Sequence, residues 1–381
     1  NFQQFFQIKH KFLESRLFIV LVMSLLLKRL SPIKQSYSKV LAIRTMSIPS
    51  TQYGFFYNKA SGLNLKKDLP VNKPGAGQLL LKVDAVGLCH SDLHVLYEGL
   101  DCGDNYVMGH EIAGTVAELG EEVSEFAVGD RVACVGPNGC GLCKHCLTGN
   151  DNVCTKSFLD WFGLGYNGGY EQFLLVKRPR NLVKIPDNVT SEEAAAITDA
   201  VLTPYHAIKS AGVGPASNIL IIGAGGLGGN AIQVAKAFGA KVTVLDKKDK
   251  ARDQAKAFGA DQVYSELPDS VLPGSFSACF DFVSVQATYD LCQKYCEPKG
   301  TIVPVGLGAT SLNINLADLD LREITVKGSF WGTLMDLREA FELAAQGKVK
   351  PNVAHAPLSE LPKYMEKLRA GGYEGRVVFN P

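Results

Sequence analysis

Residues 140–154 read CGLCKHCLTGNDNVC and gather Cys140, Cys143, Cys146 and Cys154 into one short stretch. The spacing C-x2-C-x2-C-x7-C can close four thiolates around a tetrahedral zinc ion, leaving no position for a substrate. A site of that kind braces a loop with little apolar core and performs no reaction. A redox pair would be a single C-x-x-C and would not need the third and fourth cysteines. His145, between the ligands, is expected at the surface. A second constellation spans GLCHSDLH (87–94) and GHEIAG (109–114). Cys89 and His110, with Glu111 beside them, are candidate ligands of a second metal. A catalytic zinc uses three protein ligands and keeps a fourth position open, and spacing alone does not supply the third. On these residues alone, a buried cysteine and a core histidine stand as an equal alternative.

A third feature is Gly223-Ala224-Gly225-Gly226-Leu227-Gly228, a G-x-G-x-x-G. It follows the strand-like NILII (218–222), opens a helical stretch, and is answered by Asp246 at the end of the next strand. All three contexts of a dinucleotide fingerprint are therefore met. Gly223 permits the tight turn, Gly225 lets the backbone approach a pyrophosphate at the helix N-terminus, and Gly228 allows close helix–strand packing. Gly226 and Leu227 belong to the same turn. Asp246 would accept hydrogen bonds from the adenine ribose and repel a 2′-phosphate, which favours NAD(H) over NADP(H). Lys247 and Lys248 read as solvated.

These residues need elements to hold them. From about 46 to 190 the chain shows short β-like runs, LLLKVDAV (79–86), 113–119 and 131–135, separated by glycine-containing turns. From Asn218 the rhythm becomes strand–helix–strand: strands at 218–222, 241–245, 278–283, 301–305 and 324–328, helices at 227–238, 250–258, 287–296 and 336–346. That alternation predicts a doubly wound parallel sheet. The fold class is α/β, a mostly-β domain plus a Rossmann domain. The strand-like tail GRVVF (375–379) is expected to return to the first domain, so the division is 46–197 together with 347–381, and 198–346.

The 46% hydrophobic and 20% charged composition is that of a globular protein. Residues 1–45 carry eight Lys/Arg against the single acid Glu14, a net of +7, which leaves −6 for the remainder of a chain whose total is +1. A mildly acidic body has no footprint for nucleic acid. The longest apolar run of the extension, 17–27, is too short to span a bilayer. Between 23 and 45 the composition suits a mitochondrial transit peptide; the equal alternative is upstream sequence outside the mature protein. Either places the body in a reducing compartment, the cytoplasm or the mitochondrial matrix, where clustered cysteines are metal ligands more often than disulfides. Cys102, Cys134, Cys279, Cys292 and Cys296 are expected to pack as small apolar groups, and His206 and His355 to be structural or exposed.

In its order of GLCHSDLH, GHEIAGTV, the four-cysteine loop and GAGGLG, the chain resembles the zinc-dependent medium-chain alcohol dehydrogenases over residues 46–381. GLCHSDLHVLYEGLDCGDNYVMGHE, DWFGLGYNGGY and GSFWG are most similar to the yeast NADH-dependent secondary alcohol dehydrogenases, or carbonyl reductases. The resemblance implies a GroES-like catalytic domain and two zinc ions per chain, one catalytic and one structural. It implies that Cys89 and His110 bind the catalytic zinc. In TDAVLTPYHA (198–207) Asp199 falls where many relatives place a cysteine ligand, and a carboxylate is a harder, less electron-donating donor than thiolate. Glu111 would bind when the open position is empty, and Asp92 would hold His110 through its other ring nitrogen.

The resemblance further implies that Ser91 bonds the reacting oxygen and that His94 passes its proton to solvent. His90 and Arg376 would approach the cofactor pyrophosphate. A further family arginine near 333–336 is absent, the residues there being Thr333-Leu334-Met335-Asp336. Leu100, Pro137, Trp161, Leu164 and Leu307 would line an apolar pocket suited to hydrophobic or aryl ketones. The expected reaction is NAD-linked interconversion of secondary alcohols and ketones by a homodimer or homotetramer. Polyol or primary alcohol oxidation within the same family is the alternative. A zinc-free quinone reductase would lack both metal constellations, and a non-catalytic cofactor-binding protein would have no use for Ser91 and His94.

Overall fold

The computed structural model describes residues 47–371 and 375–381; the basic extension 1–45 lies outside the described residues. Two main sheets organise the chain. The first is seven-stranded and mixed, running Leu182–Lys184, Arg131–Cys134, Glu111–Leu119, Leu79–Leu88, Arg376–Asn380 and Val353–Pro357, with Phe173–Val176 also paired to Leu79–Leu88. Leu79–Leu88 (LLLKVDAVGL) is buried along nearly its whole length, as expected of a strand covered on both faces. The C-terminal strand Arg376–Asn380 pairs antiparallel with it, Val377 opposite Leu88. The tail thereby brings Arg376 beside the end of the strand that leads into Cys89.

The second sheet has six strands, all parallel. In chain order these are Asn218–Ile222, Lys241–Leu245, Gln262–Tyr264, Phe276–Asp281, Cys296–Pro304 and Thr325–Val326, and their spatial order is 3-2-1-4-5-6. Order reverses between the first and fourth strands, and open α/β sheets bind ligands in the crevice beyond that switch point. The run NILII is apolar without alternation because helices cover both faces of a parallel sheet. Helix Gly226–Ala237 packs there through Ala231, Ile232, Val234 and Ala235.

The expected strand 324–328 shortens to Thr325–Val326, an edge strand paired on one side only, while 301–305 starts early, at Cys296. The hairpin Thr51–Asn58 with Gly62–Pro70 was not foreseen: its second strand is half exposed and polar, so the apolar signal is weak. Among the described residues no helix is long and apolar enough to cross a membrane.

Candidate metal centre and active site

Cys140, Cys143, Cys146 and Cys154 converge, their sulfurs lying within 4.8 Å of one another. Cys140 Sγ to Cys146 Sγ is 3.9 Å and Cys143 Sγ to Cys154 Sγ is 3.7 Å. Disulfides require sulfurs about 2.05 Å apart, whereas four ligands at a Zn–S length of about 2.3 Å in a tetrahedron stand roughly 3.8 Å apart. Backbone N–H groups of Leu142 and Cys143 donate to Cys140 Sγ, and that of Cys140 to Cys154 Sγ, each at 3.4 Å. Burial opposes the Cys154 thiolate, but Ser157 and the Cys140 and Lys156 N–H groups outweigh it and pull the thiol down to about 5. Sulfurs accepting N–H bonds at tetrahedral spacing fit a closed zinc site.

The second cluster joins Cys89, His110, Glu111 and Asp199, all buried, with one ligand atom from each within 4.8 Å of the others. Local structure explains each position. Cys89 ends strand Leu79–Leu88 and caps helix His90–Tyr97, whose third residue Asp92 accepts the Cys89 N–H at 3.1 Å. Glu111 opens strand Glu111–Leu119, and His110 immediately precedes it. Gly87 faces Glu111 in the register, and a Cβ there would lie 1.9 Å from Glu111 Oε2, so only glycine admits the carboxylate. Asp199 lies on a π-helical turn, Ile197–Val201, between helices Ser191–Ala196 and Leu202–Ser210. Such turns recur at functional sites; here Thr203 Oγ1 donates to Asp199 Oδ1 at 2.7 Å.

The electrostatics of this cluster favour a cation. Asp199 Oδ2 lies 3.2 Å from Cys89 Sγ. Burial opposes the Asp199 carboxylate, yet Arg376 and His110 hold it below the usual range. Burial pushes Glu111 well above that range despite Arg376, and neither Glu111 oxygen has a donor in hydrogen-bonding geometry. Burial also opposes the His110 imidazolium, but Asp92 prevails and raises it. A thiol, an imidazole and two carboxylates at full burial, one lacking a donor, are a donor set that a zinc ion satisfies.

Arg376 occupies a place that spacing did not suggest. Its Nε stands 3.0 Å from Glu111 Oε1 and its Nη2 2.9 Å from Asp199 Oδ2 and 3.5 Å from Cys89 Sγ. The expectation placed it at the pyrophosphate; here two of its three nitrogens turn to the acidic cluster. Nη1 points toward the glycine turn, 3.2 Å from the position of a Cβ on Gly226.

In that turn Gly223 has φ +85°, a left-handed conformation that glycine adopts freely. A Cβ on Gly228 would meet Gly223 O at 1.7 Å, so helix and strand touch there, while nothing lies within 4 Å of where a Cβ on Gly225 would be. That open backbone at the N-terminus of a twelve-residue helix fits a pyrophosphate. Asp246 accepts the Ala224 N–H at 2.7 Å and the Lys248 N–H at 2.8 Å, and so braces the turn from the neighbouring strand. Leu227, beside it, is half-buried.

Ser91 Oγ lies 3.6 Å from Cys89 Sγ. His94 Nδ1 is held by Glu98 Oε2 at 2.5 Å. His90 is exposed, its ring tilted on that of His94 with centroids 5.1 Å apart, and burial followed by His94 lowers its pKa. Of the proposed walls, Trp161 packs against Phe330 with the rings tilted and their centroids 5.2 Å apart. Pro137 and Leu164 are buried, and Leu100 and Leu307 are exposed. Leu164 belongs to the main hydrophobic core. Sequence reasoning missed Trp331, edge-on to His110 at 5.4 Å, and Tyr170, whose hydroxyl donates to Asp92 Oδ2 at 2.9 Å. The only signal for Trp331 was its place in GSFWG.

Comparison with known proteins agrees with this geometry. Residues 75–187 match the model of the alcohol dehydrogenase GroES-like domain, and residues 226–346 that of the zinc-binding dehydrogenase. An alcohol dehydrogenase of Geobacillus stearothermophilus is 34% identical over 322 residues, covering 82% of this chain and 94% of the relative. Alcohol dehydrogenase 1 of Emericella nidulans is 34% identical over 351 residues, covering 87% and 99%. The structure of acetophenone reductase from Geotrichum candidum in complex with NAD superposes with a TM-score of 0.84 at 44% identity, covering 88% of this chain and 99% of that one. With both metal clusters, the glycine turn and the two-sheet fold in place, the chain belongs to the zinc-binding alcohol dehydrogenase family.

Proposed function

We propose that the protein is an NAD(H)-linked oxidoreductase interconverting secondary alcohols and ketones, with hydrophobic or aryl ketones as preferred substrates. The observation that carries this reading is the place of Arg376. One guanidinium contacts Glu111 and Asp199 of the metal cluster and faces Gly226 of the dinucleotide turn, so cofactor and metal would meet at one point.

Cys89, His110 and Asp199 would hold the catalytic zinc, with Glu111 as a further donor, and Cys140, Cys143, Cys146 and Cys154 the structural one. When bound, zinc supplies a Lewis acid beside the reacting oxygen and NAD the hydride acceptor. Ser91 Oγ accepts the alcohol proton, or donates to the ketone oxygen in reverse. His94, steadied by Glu98, carries that proton outward. Asp92 orients His110 from behind. Gly223, Gly225, Gly226, Leu227 and Gly228 seat the pyrophosphate with His90 and Arg376, and Asp246 takes the ribose hydroxyls. Trp161, with Leu100, Pro137, Leu164 and Leu307, forms an apolar wall with few partners for the extra hydroxyls of a polyol.

We assign residues 46–197 with 347–381 to the catalytic domain and 198–346 to the cofactor domain. Exposed Ile314, Leu316 and Leu321 near the edge of the parallel sheet support a homodimer or homotetramer. Every cysteine among the described residues is free, which supports a reducing compartment, cytoplasmic or mitochondrial.

The test is NADH-dependent reduction of a panel including acetophenone, 2-alkanones and the ketose products of polyols, by the wild type and by Cys89→Ala. Selective reduction of apolar ketones, lost in the variant, is expected. Equal rates for the two proteins would refute the assignment.

A further inference from the structure

The four-cysteine loop reaches the reaction centre through residues that are not ligands. Asp151 and Asn152 lie between Cys146 and Cys154 on a short 3-10 turn, and both are buried. Asp151 accepts the Leu334 N–H at 3.3 Å through Oδ1, at the start of helix Leu334–Ala345. Asn152 Nδ2 donates to the backbone carbonyl of Phe330 at 2.8 Å and lies 3.4 Å from His206 Nε2. The other His206 nitrogen is held by Asp336 Oδ2 at 2.7 Å, and Asp336 is itself in the first turn of that helix. The loop thus grips both ends of the segment 330–334.

That segment carries Trp331, whose ring stands edge-on to His110 of the metal cluster. Rings run in series from Phe158 to Trp161, Phe330, Trp331 and His110, with successive centroids 5.4, 5.2, 6.0 and 5.4 Å apart. Trp331 is not relaxed: its φ is +48°, a left-handed conformation that costs a non-glycine residue stability. It is held by Nε1 donating to Thr198 O at 2.9 Å, next to Asp199. Its ring also lies flat on Gly136, where a Cβ would come within 1.9 Å of Cζ2. Strained backbone persists only when its surroundings over-determine it, and the Asn152 amide adds a hydrogen bond to the carbonyl of Phe330, the residue before Trp331.

We infer that Asn152 is a positioning residue for the Phe330–Trp331 wall, so that the four-cysteine clamp sets the shape of the substrate pocket as well as bracing its own loop. The inference deepens the proposed function and rests on that reading for its kinetic part. No role in the reaction attaches to the loop itself: Asn152 touches Phe330 O and His206, and acts through them.

The chain has two tryptophans, Trp161 and Trp331, and both are in this row, so intrinsic fluorescence reports on it directly. In the zinc-loaded protein, Asn152→Ala should shift tryptophan emission to the red and raise acrylamide quenching with two zinc ions per chain retained. KM for acetophenone should rise roughly three- to tenfold, the worth of one neutral hydrogen bond, with kcat within about twofold. Lys144→Ala, exposed on the same loop, should leave both readouts unchanged. Should Asn152→Ala not fold, Asn152→Ser, which loses the amide reach with a smaller change in polarity, takes its place. Unchanged emission, quenching and KM would overturn the inference, and so would loss of the loop zinc, which would make the effect one of loop collapse. If the wild type reduces no ketone, the proposed function fails, while the fluorescence comparison still decides the positioning.

Discussion

Asp92 Oδ1 stands 3.3 Å from His110 Nδ1, while Oδ2 of the same carboxylate accepts the Cys89 N–H at 3.1 Å and the Tyr170 hydroxyl at 2.9 Å. One carboxylate thus stands against two candidate ligands at once. Supporting residues of this kind are worth about 10- to 100-fold in metal affinity. Asp92→Ala should retain the four-cysteine zinc and lose the other at low chelator concentration. Competition with a chromophoric chelator measures this; two zinc ions released together at wild-type affinity would contradict it.

Arg376 offsets two buried acids, Glu111 and Asp199, at 3.0 and 2.9 Å. Removing one partner of a buried pair leaves uncompensated charge, at a cost of about 3–5 kcal/mol. Arg376→Leu should lose stability of that order in metal-free protein and less in zinc-loaded protein, where the cation replaces the guanidinium. NADH should also bind more weakly. Equal denaturation midpoints for wild type and variant in the metal-free state would contradict the assignment.

Cys140→Ser removes one sulfur from a set spaced 3.7–3.9 Å apart. Zinc content should fall from about two to about one per chain, and thermal unfolding should move down and become less cooperative. Thiol titration of the native wild type should find these four sulfurs protected until zinc is chelated. Four reactive thiols in the zinc-loaded protein would argue against a closed site.

Asp246 receives the Ala224 and Lys248 N–H groups at the end of strand Lys241–Leu245. Its charge should repel a 2′-phosphate. Asp246→Ser should therefore raise the ratio of kcat/KM for NADPH over NADH, and by more at low ionic strength, where Lys247 and Lys248 attract the phosphate more strongly. A ratio that does not move would remove Asp246 from cofactor choice.

Glu171 is buried, with Oε2 accepting from Gln52 Nε2 at 2.9 Å, and burial holds its carboxyl well above the usual range. The folded state keeps a proton that the unfolded chain releases near pH ~4.3. Its contribution to stability is complete below that value and is lost as pH rises through the folded pKa. Glu171→Gln carries no such proton, so its stability relative to wild type should grow on going from acid to neutral pH. Urea denaturation at several pH values gives the answer; a constant difference would mean that Glu171 does not titrate in this way.

Much of the fold was legible because its signals are local. NILII and KVTVL coincide with Asn218–Ile222 and Lys241–Leu245, since a strand buried on both faces is a continuous apolar run. The four helices expected after Asn218 start within two residues of their observed starts, because periodicity and glycine turns mark them, while Leu202–Ser210 and Leu361–Arg369 were not expected. The hairpin Thr51–Asn58/Gly62–Pro70, whose second strand is polar and largely exposed, carries no such contrast there and went unseen.

By itself, the sequence determined the four-cysteine spacing and the glycine turn with its answering Asp246. Each is set by residues within about a dozen positions of one another, or by a single βαβ repeat. Only the tertiary structure decided that Asp199 meets Cys89 across 110 positions and Arg376 meets Cys89 across 287. It alone set Asn152 against Phe330 O, 178 positions away. Those meetings depend on the C-terminal strand pairing with Leu79–Leu88, on a π-helical turn and on a left-handed tryptophan. The strand-like GRVVF announces the first of these but not its partner strand; the other two leave no periodic trace, because each is imposed by packing between distant elements and not by the preferences of neighbouring residues.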